Sequence, residues 1–171
     1  MDNFWSKYHQ DTLSSSSSWV EWSRRLKNVS QIVWKELSPS LVKLPKQNIT
    51  IEDFRAIELM PVFMMLAGLS IELIAKARCI KKGNQKKLSS HRISYYVENK
   101  ILTEQEKDLI KRLEVFIKWA GRYPIPLKEE DFVPIKVHLK DGAFPTFNVS
   151  DKKTIDDLYT KLHKLTETET S

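Results

Sequence analysis

The most apolar stretch of the chain runs from Leu59 to Ile80, LMPVFMMLAGLSIELIAKARCI, and between Leu59 and Ile71 its one polar side chain is Ser70. Glu72 ends the run and Lys76 follows one turn later. A run this short falls below the ~20 residues of a membrane span. A helix apolar on every side is instead the central helix of a bundle. Met64 and Met65 read as pliable core filler. Before it, residues 19–37 place Trp19, Trp22, Leu26, Val29, Val33 and Leu37 at three- and four-residue spacing, with Ile32 and Trp34 widening the face. Arg24, Arg25 and Lys27 lie on the other side, and Pro39 is expected to stop this helix. Thr50 to Asp53 approximates a capping box that starts the central helix, and Pro61 predicts a kink or break near Leu59. Lys81, Lys82 and Gly83 form a basic last turn with a glycine stop.

Beyond that stop the pattern predicts three more helices. Residues 88–97 read as a short one capped by Ser89 or Ser90. Thr103 to Glu106 is a full capping box, opening a helix with Leu109, Leu113, Phe116, Ile117 and Ala120 on one face and Gly121 at its end. Ser150 caps a last helix striped by Ile155, Leu158, Leu162 and Leu165. The fold class is therefore all-α, a bundle of four to six helices, with a proline-rich extended arm near residues 122–149. The domain plan is an N-terminal segment with a serine-rich linker (1–18), whose run Ser14 to Ser18 reads as a flexible linker or an extended helix lead-in, then one helical-bundle domain (19–166) and a disordered tail (167–171). The chain of 171 residues is long enough for one domain with a real core.

Composition narrows the classes. The net charge of +6 permits an anionic partner such as RNA without requiring one. The single cysteine, Cys79, excludes an internal disulfide and suits a reducing compartment. The N-terminal MDNFWSKYHQD lacks the basic-then-apolar order of a secretory signal, so the expected location is the cytoplasm, away from a membrane. There is no glycine-rich phosphate loop, nucleophile elbow or H-E-x-x-H. His9, His91, His138 and His163 are scattered, so neither a metal nor a cofactor is expected. Lys81, Lys82, Lys86, Lys87 and Arg92 are the candidate nucleic-acid contacts.

One order of motifs carries a resemblance. An apolar helix ends in Ile-Glu-Leu-Ile-Ala-Lys-Ala, followed by a Lys/Gly loop, Ser-Ser-His, Leu-Thr-Glu-Gln-Glu and Trp-Ala-Gly-Arg-Tyr-Pro. Over roughly residues 57–126 this resembles the HEPN superfamily, helical-bundle proteins of bacterial toxin–antitoxin and antiphage systems. Ribonuclease members of that superfamily carry R-x4-6-H, and no Arg–His pair here has that spacing. The resemblance thus implies a helical module that binds RNA or a protein partner, such as an antitoxin, and does not cleave. The alternative is a metal-independent endoribonuclease with His91 as general base, and Arg122 and Lys76 stabilising the charged phosphorane.

Two structural expectations accompany these readings. The tryptophan face of residues 19–37 predicts a symmetric homodimer. Glu72, with Lys76 one turn on, is expected to be buried and bonded to Arg122 or His91, in a polar cluster near Tyr123 that is structural before it is catalytic.

Overall fold

In a computed structural model the described residues are 2–43, 51–84, 88–120, 147 and 149–169. They form α1 (Asp2–Ser14), α2 (Ser16–Lys43), α3 (Ile51–Lys81), α4 (Ile93–Tyr96), a 3₁₀ turn (Asn99–Ile101), α5 (Glu104–Val115) and α6 (Val149–Thr168). A π-helical turn, Phe116–Ala120, continues α5. Among the described residues there is no strand, so the chain is the all-α bundle its periodicity predicts.

The apolar run becomes the centre. Phe63, Met64, Ala67, Ile71, Ile74 and Ala75 are buried on α3, against Leu37 of α2, Leu109 and Leu113 of α5, and Ile155, Leu158 and Leu162 of α6. α3 packs most extensively on α2. Ser23 donates to the Ser70 carbonyl at 2.7 Å, and Trp34 lies 5.3 Å from Phe63 between ring centroids, so the two helices run antiparallel. The charge-free run is shorter than a membrane span, but with its flanks the helical stretch Glu58–Lys81 is long and apolar enough to cross a membrane by length and composition alone, which corrects the length argument from the sequence. Within the bundle the same stretch carries the core, together with buried Glu72, Lys76 and Arg78.

The stop and start signals hold unevenly. α3 ends as its glycine dictates: Gly83 has φ +66°, and Gly83 and Asn84 donate to the carbonyls of Ile80 and Cys79. α5 opens with the full capping box between Thr103 and Glu106. Pro39 does not stop α2, which continues to Lys43. Leu37 and Ser40, buried on either side of that proline, hold the turn by packing. α3 likewise runs unbroken through Pro61. Of the two readings of the serine run, the helix lead-in holds over the linker, because Ser16 to Ser18 open α2, Ser15 alone separates α1 from α2, and the Ser15 side chain accepts from the Ser18 N–H. The helix expected over 88–97 shrinks to the single turn of α4. α6 extends to Thr168, and Glu169 is engaged beyond it, so the tail is ordered further than composition suggests. The expected cap at Thr50, the stop at Gly121 and nearly all of the proline-rich arm lie outside the described residues.

Candidate functional site

Burying a carboxylate is costly unless charge and hydrogen bonds compensate it. Glu72, in the middle of α3, is 1% exposed and has both. Lys76, one turn on and itself buried, donates from Nζ to Glu72 Oε1 at 2.5 Å. His91, at the start of the segment leading into α4, places Nδ1 3.2 Å from Oε2. The expectation that Glu72 is buried and bonded to Arg122 or His91 is therefore met through His91. Arg122 and Tyr123 lie outside the described residues.

Two aromatic walls close the cluster. The Lys76 ammonium sits 5.5 Å from the Trp19 ring centre and 5.3 Å from that of Tyr96. Cations are attracted to such ring faces, more strongly when desolvated. Burial pushes the Tyr96 hydroxyl above its ordinary pKa, and the charge of Glu72 adds to this. Tyr96 donates to the Ser90 carbonyl at 3.1 Å, and Cys79 Sγ donates to the Tyr96 carbonyl at 3.4 Å. These bonds fix the backbone around His91, whose side chain stays half exposed. One face of α3 thus holds α2 through Trp19, α4 through Tyr96 and the intervening loop through His91. Sequence reasoning misses Trp19 and Tyr96 as site residues. Their spacing reads as core stripe and short helix, and nothing local says that they face a cation.

The basic candidates divide. Lys81 donates to the carbonyls of Thr166 and Glu167, near the C-terminal end of α6. Lys82 pairs with Glu98 and Glu169 at 2.7 and 3.1 Å. Both of these candidate phosphate contacts are thus also engaged in bonds within the fold. Arg92 is exposed, while Lys86 and Lys87 lie outside the described residues. Three inter-helical ties are also invisible to short-range motifs. Arg112 of α5 grips Asp151 of α6 with two bonds, at 2.6 and 2.9 Å. Lys161 of α6 donates to the capping-box carboxylate of Glu106. Buried Arg78 donates to Glu169 through both Nε and a terminal nitrogen.

Chemically, the cluster is a carboxylate shared between an ammonium and an imidazole. Among the described residues no group of three or more His, Cys, Asp or Glu side chains is placed to hold a metal ion. Compared with protein-family models, with curated proteins and with solved structures, the chain finds no match.

Proposed function

We propose that this chain is a non-catalytic HEPN-like helical module of the bacterial cytoplasm, acting by binding in a toxin–antitoxin or defence setting, with a protein partner such as an antitoxin favoured over RNA. The HEPN-like part of the reading rests on the order of motifs over roughly residues 57–126, and the observation that carries its non-catalytic part is the closed cluster on α3. Both oxygens of Glu72 are taken, by Lys76 and His91, and Lys76 is enclosed between two rings. A cation that stabilises a phosphorane must reach the substrate, and Lys76 is 3% exposed. The internal ties of Lys81 and Lys82 weaken the case for a phosphate-binding edge at the end of α3.

A second reading, the metal-independent endoribonuclease, has one observation in its favour. His91 is half exposed with a buried carboxylate at Nδ1, and a carboxylate so placed orients an imidazole to take a proton at its other nitrogen. Arg122 would then supply the positive charge. The test is incubation of the purified protein with transfer RNA and single-stranded RNA in EDTA. No cutting is expected. Cutting that vanishes in both His91→Ala and Arg122→Ala would replace the binding reading with the catalytic one.

A further inference from the structure

We propose that Arg78 and Lys82, at the C-terminal end of α3, form a carboxylate-binding site that Glu169 of the same chain occupies as a displaceable stand-in for an acidic side chain of a protein partner. The internal pairing is mismatched. Arg78 donates to Glu169 Oε1 from Nε at 3.0 Å and from a terminal nitrogen at 2.7 Å, and Lys82 reaches the same oxygen at 3.1 Å. Three donors thus converge on one oxygen. The other, Oε2, is buried and has no hydrogen-bond partner among the described residues. A guanidinium fork fits a carboxylate best when each of two nitrogens meets its own oxygen. Burying a carboxylate oxygen without a donor is costly.

Glu169 follows directly on α6, and its backbone is held. Its N–H donates to the Leu165 carbonyl at 3.2 Å, and Lys81 donates to the carbonyls of Thr166 and Glu167. The carboxylate therefore approaches Arg78 from a fixed helix end. A carboxylate arriving on another chain has no such tether and can take the fork with both oxygens. The Arg78 side chain is 6% exposed and that of Lys82 33%, so an incoming group meets Lys82 first and reaches Arg78 as Glu169 swings out. The bonds of Lys81 go to backbone carbonyls, so the end of α6 stays docked while that side chain moves.

Charge selects the occupant. Glu98 is the resident acid, with Oε1 2.7 Å from Lys82 and 3.7 Å from Arg78, and Oε2 3.5 Å from Lys100. Lys100 is mostly exposed, so its pairing counts for little. Arg78 and Lys82 set against Glu98 leave one positive charge, which one carboxylate neutralises. The C-terminal end of α3 adds partial negative charge. A second anionic group would meet Glu98 and that helix end at close range. The site therefore suits a glutamate or aspartate of a protein rather than the closely spaced phosphates of a nucleic acid. The proposal shares with the reading above only that the chain binds a protein partner. It stands whether or not the chain is HEPN-like, and its test reads peptide binding, where that reading is tested by RNA cleavage.

The test uses the full chain and, as probe, a fluorescein-labelled peptide of residues 165–171, LTETETS, added in trans. Fluorescence anisotropy is expected to show weak binding to wild type and binding tighter by ~10-fold or more to Glu169→Ala, because the tethered competitor acts at high effective concentration. The peptide carrying Glu167→Gln and Glu169→Gln is expected not to bind. In the Glu169→Ala background, Arg78→Lys keeps the charge but loses the fork, and is expected to weaken binding by ~10-fold or more. Lys82→Ala, at a partly exposed position, is expected to weaken it several-fold while circular dichroism stays that of a folded bundle, and it decides the matter if Arg78→Lys fails to fold. Equal binding by wild type and Glu169→Ala, binding by neither, binding indifferent to Lys82→Ala or to a folded Arg78→Lys, or equal binding of the glutamine peptide would overturn the proposal. So would a single-stranded RNA probe that binds Glu169→Ala in preference to the peptide.

Discussion

Glu72 is a carboxylate at the end of an otherwise apolar helical face, so it must be either solvated or paired, and its flanks, Ile71 and Leu73, leave little room for water. That conflict between composition and burial makes the cluster legible in the sequence, together with Lys76 at the favourable spacing. The ring walls are not legible, because which aromatic faces a cation depends on how α2 and α4 dock. The pairing of Arg112 with Asp151 is hidden for the same reason: they lie 39 positions apart, and nothing in either neighbourhood names the other. The cluster makes a sharp stability prediction. Glu72→Ala leaves Lys76 buried without its carboxylate and releases His91. Removing one partner of a buried pair costs about 3–5 kcal/mol, so urea unfolding is expected to show a loss on that scale. His91→Ala is expected to cost less, since that side chain is half solvated. A Glu72→Ala midpoint equal to wild type would show that the pairing does not hold the fold.

At the scale of elements, periodicity is the reliable signal and punctuation the unreliable one. The amphipathic stripes locate α2, α5 and α6, and the all-round apolar run locates α3, because burial of such faces is what makes helices stable; on α2 the stripe is only partly buried, with Trp22, Val29 and Ile32 exposed. Proline and serine mislead, since their local preferences are worth a few kcal/mol at most and yield to tertiary packing. The π turn Phe116–Ala120 is hidden as well, because its sequence keeps the helical stripe of α5. Its docking depends on one glycine of α3. A Cβ at Gly68 would meet Ile117 Cγ1 and Cδ1 at 2.9 Å and Leu113 Cβ at 3.4 Å. Ile117 and Leu113 are both fully buried, so a shift of either has to be taken up by the close-packed side chains around it. Overpacking a core costs typically 1–3 kcal/mol, while replacing glycine by alanine inside a helix gains up to ~1 kcal/mol. Gly68→Ala is therefore expected to destabilise the protein by up to ~2 kcal/mol, and Gly68→Ala with Ile117→Val to recover part of that loss. A Gly68→Ala protein more stable than wild type would mean that the π turn can back away from α3 at no cost.

Over the whole molecule, ion pairs tie α6 to its neighbours, and acid should release them. Asp156 of α6 is bonded to Lys27 of α2 and to Lys152. Glu106 of α5 takes Lys161 of α6, and Glu98 takes Lys82 beside the Arg78–Glu169 tie at the end of α6. Burial pushes the Asp156 carboxyl up, but Lys152 and Lys27 outweigh it and hold the group below the usual carboxylate range. Glu106 behaves alike, its burial outweighed by Lys161 and the Thr103 N–H, and Glu98 is lowered chiefly by Lys82. A carboxyl with a lower pKa in the folded state than in the unfolded one binds fewer protons when folded wherever the two states differ. Its contribution is complete above the unfolded value of ~4 and is lost as pH falls through the lower folded value. Unfolding free energy measured by urea is thus expected to be insensitive to these groups between neutrality and about pH 5 and to fall below that. The exposed side chains among them respond to salt, so the acid limb should be shallower at high ionic strength. Asp156→Asn together with Glu106→Gln removes two of the three titrating groups. That variant is expected to be less stable than wild type at neutral pH, with the gap closing as pH drops toward 3. A gap of constant size from pH 7 to 3 would show that these carboxylates carry no linked stability.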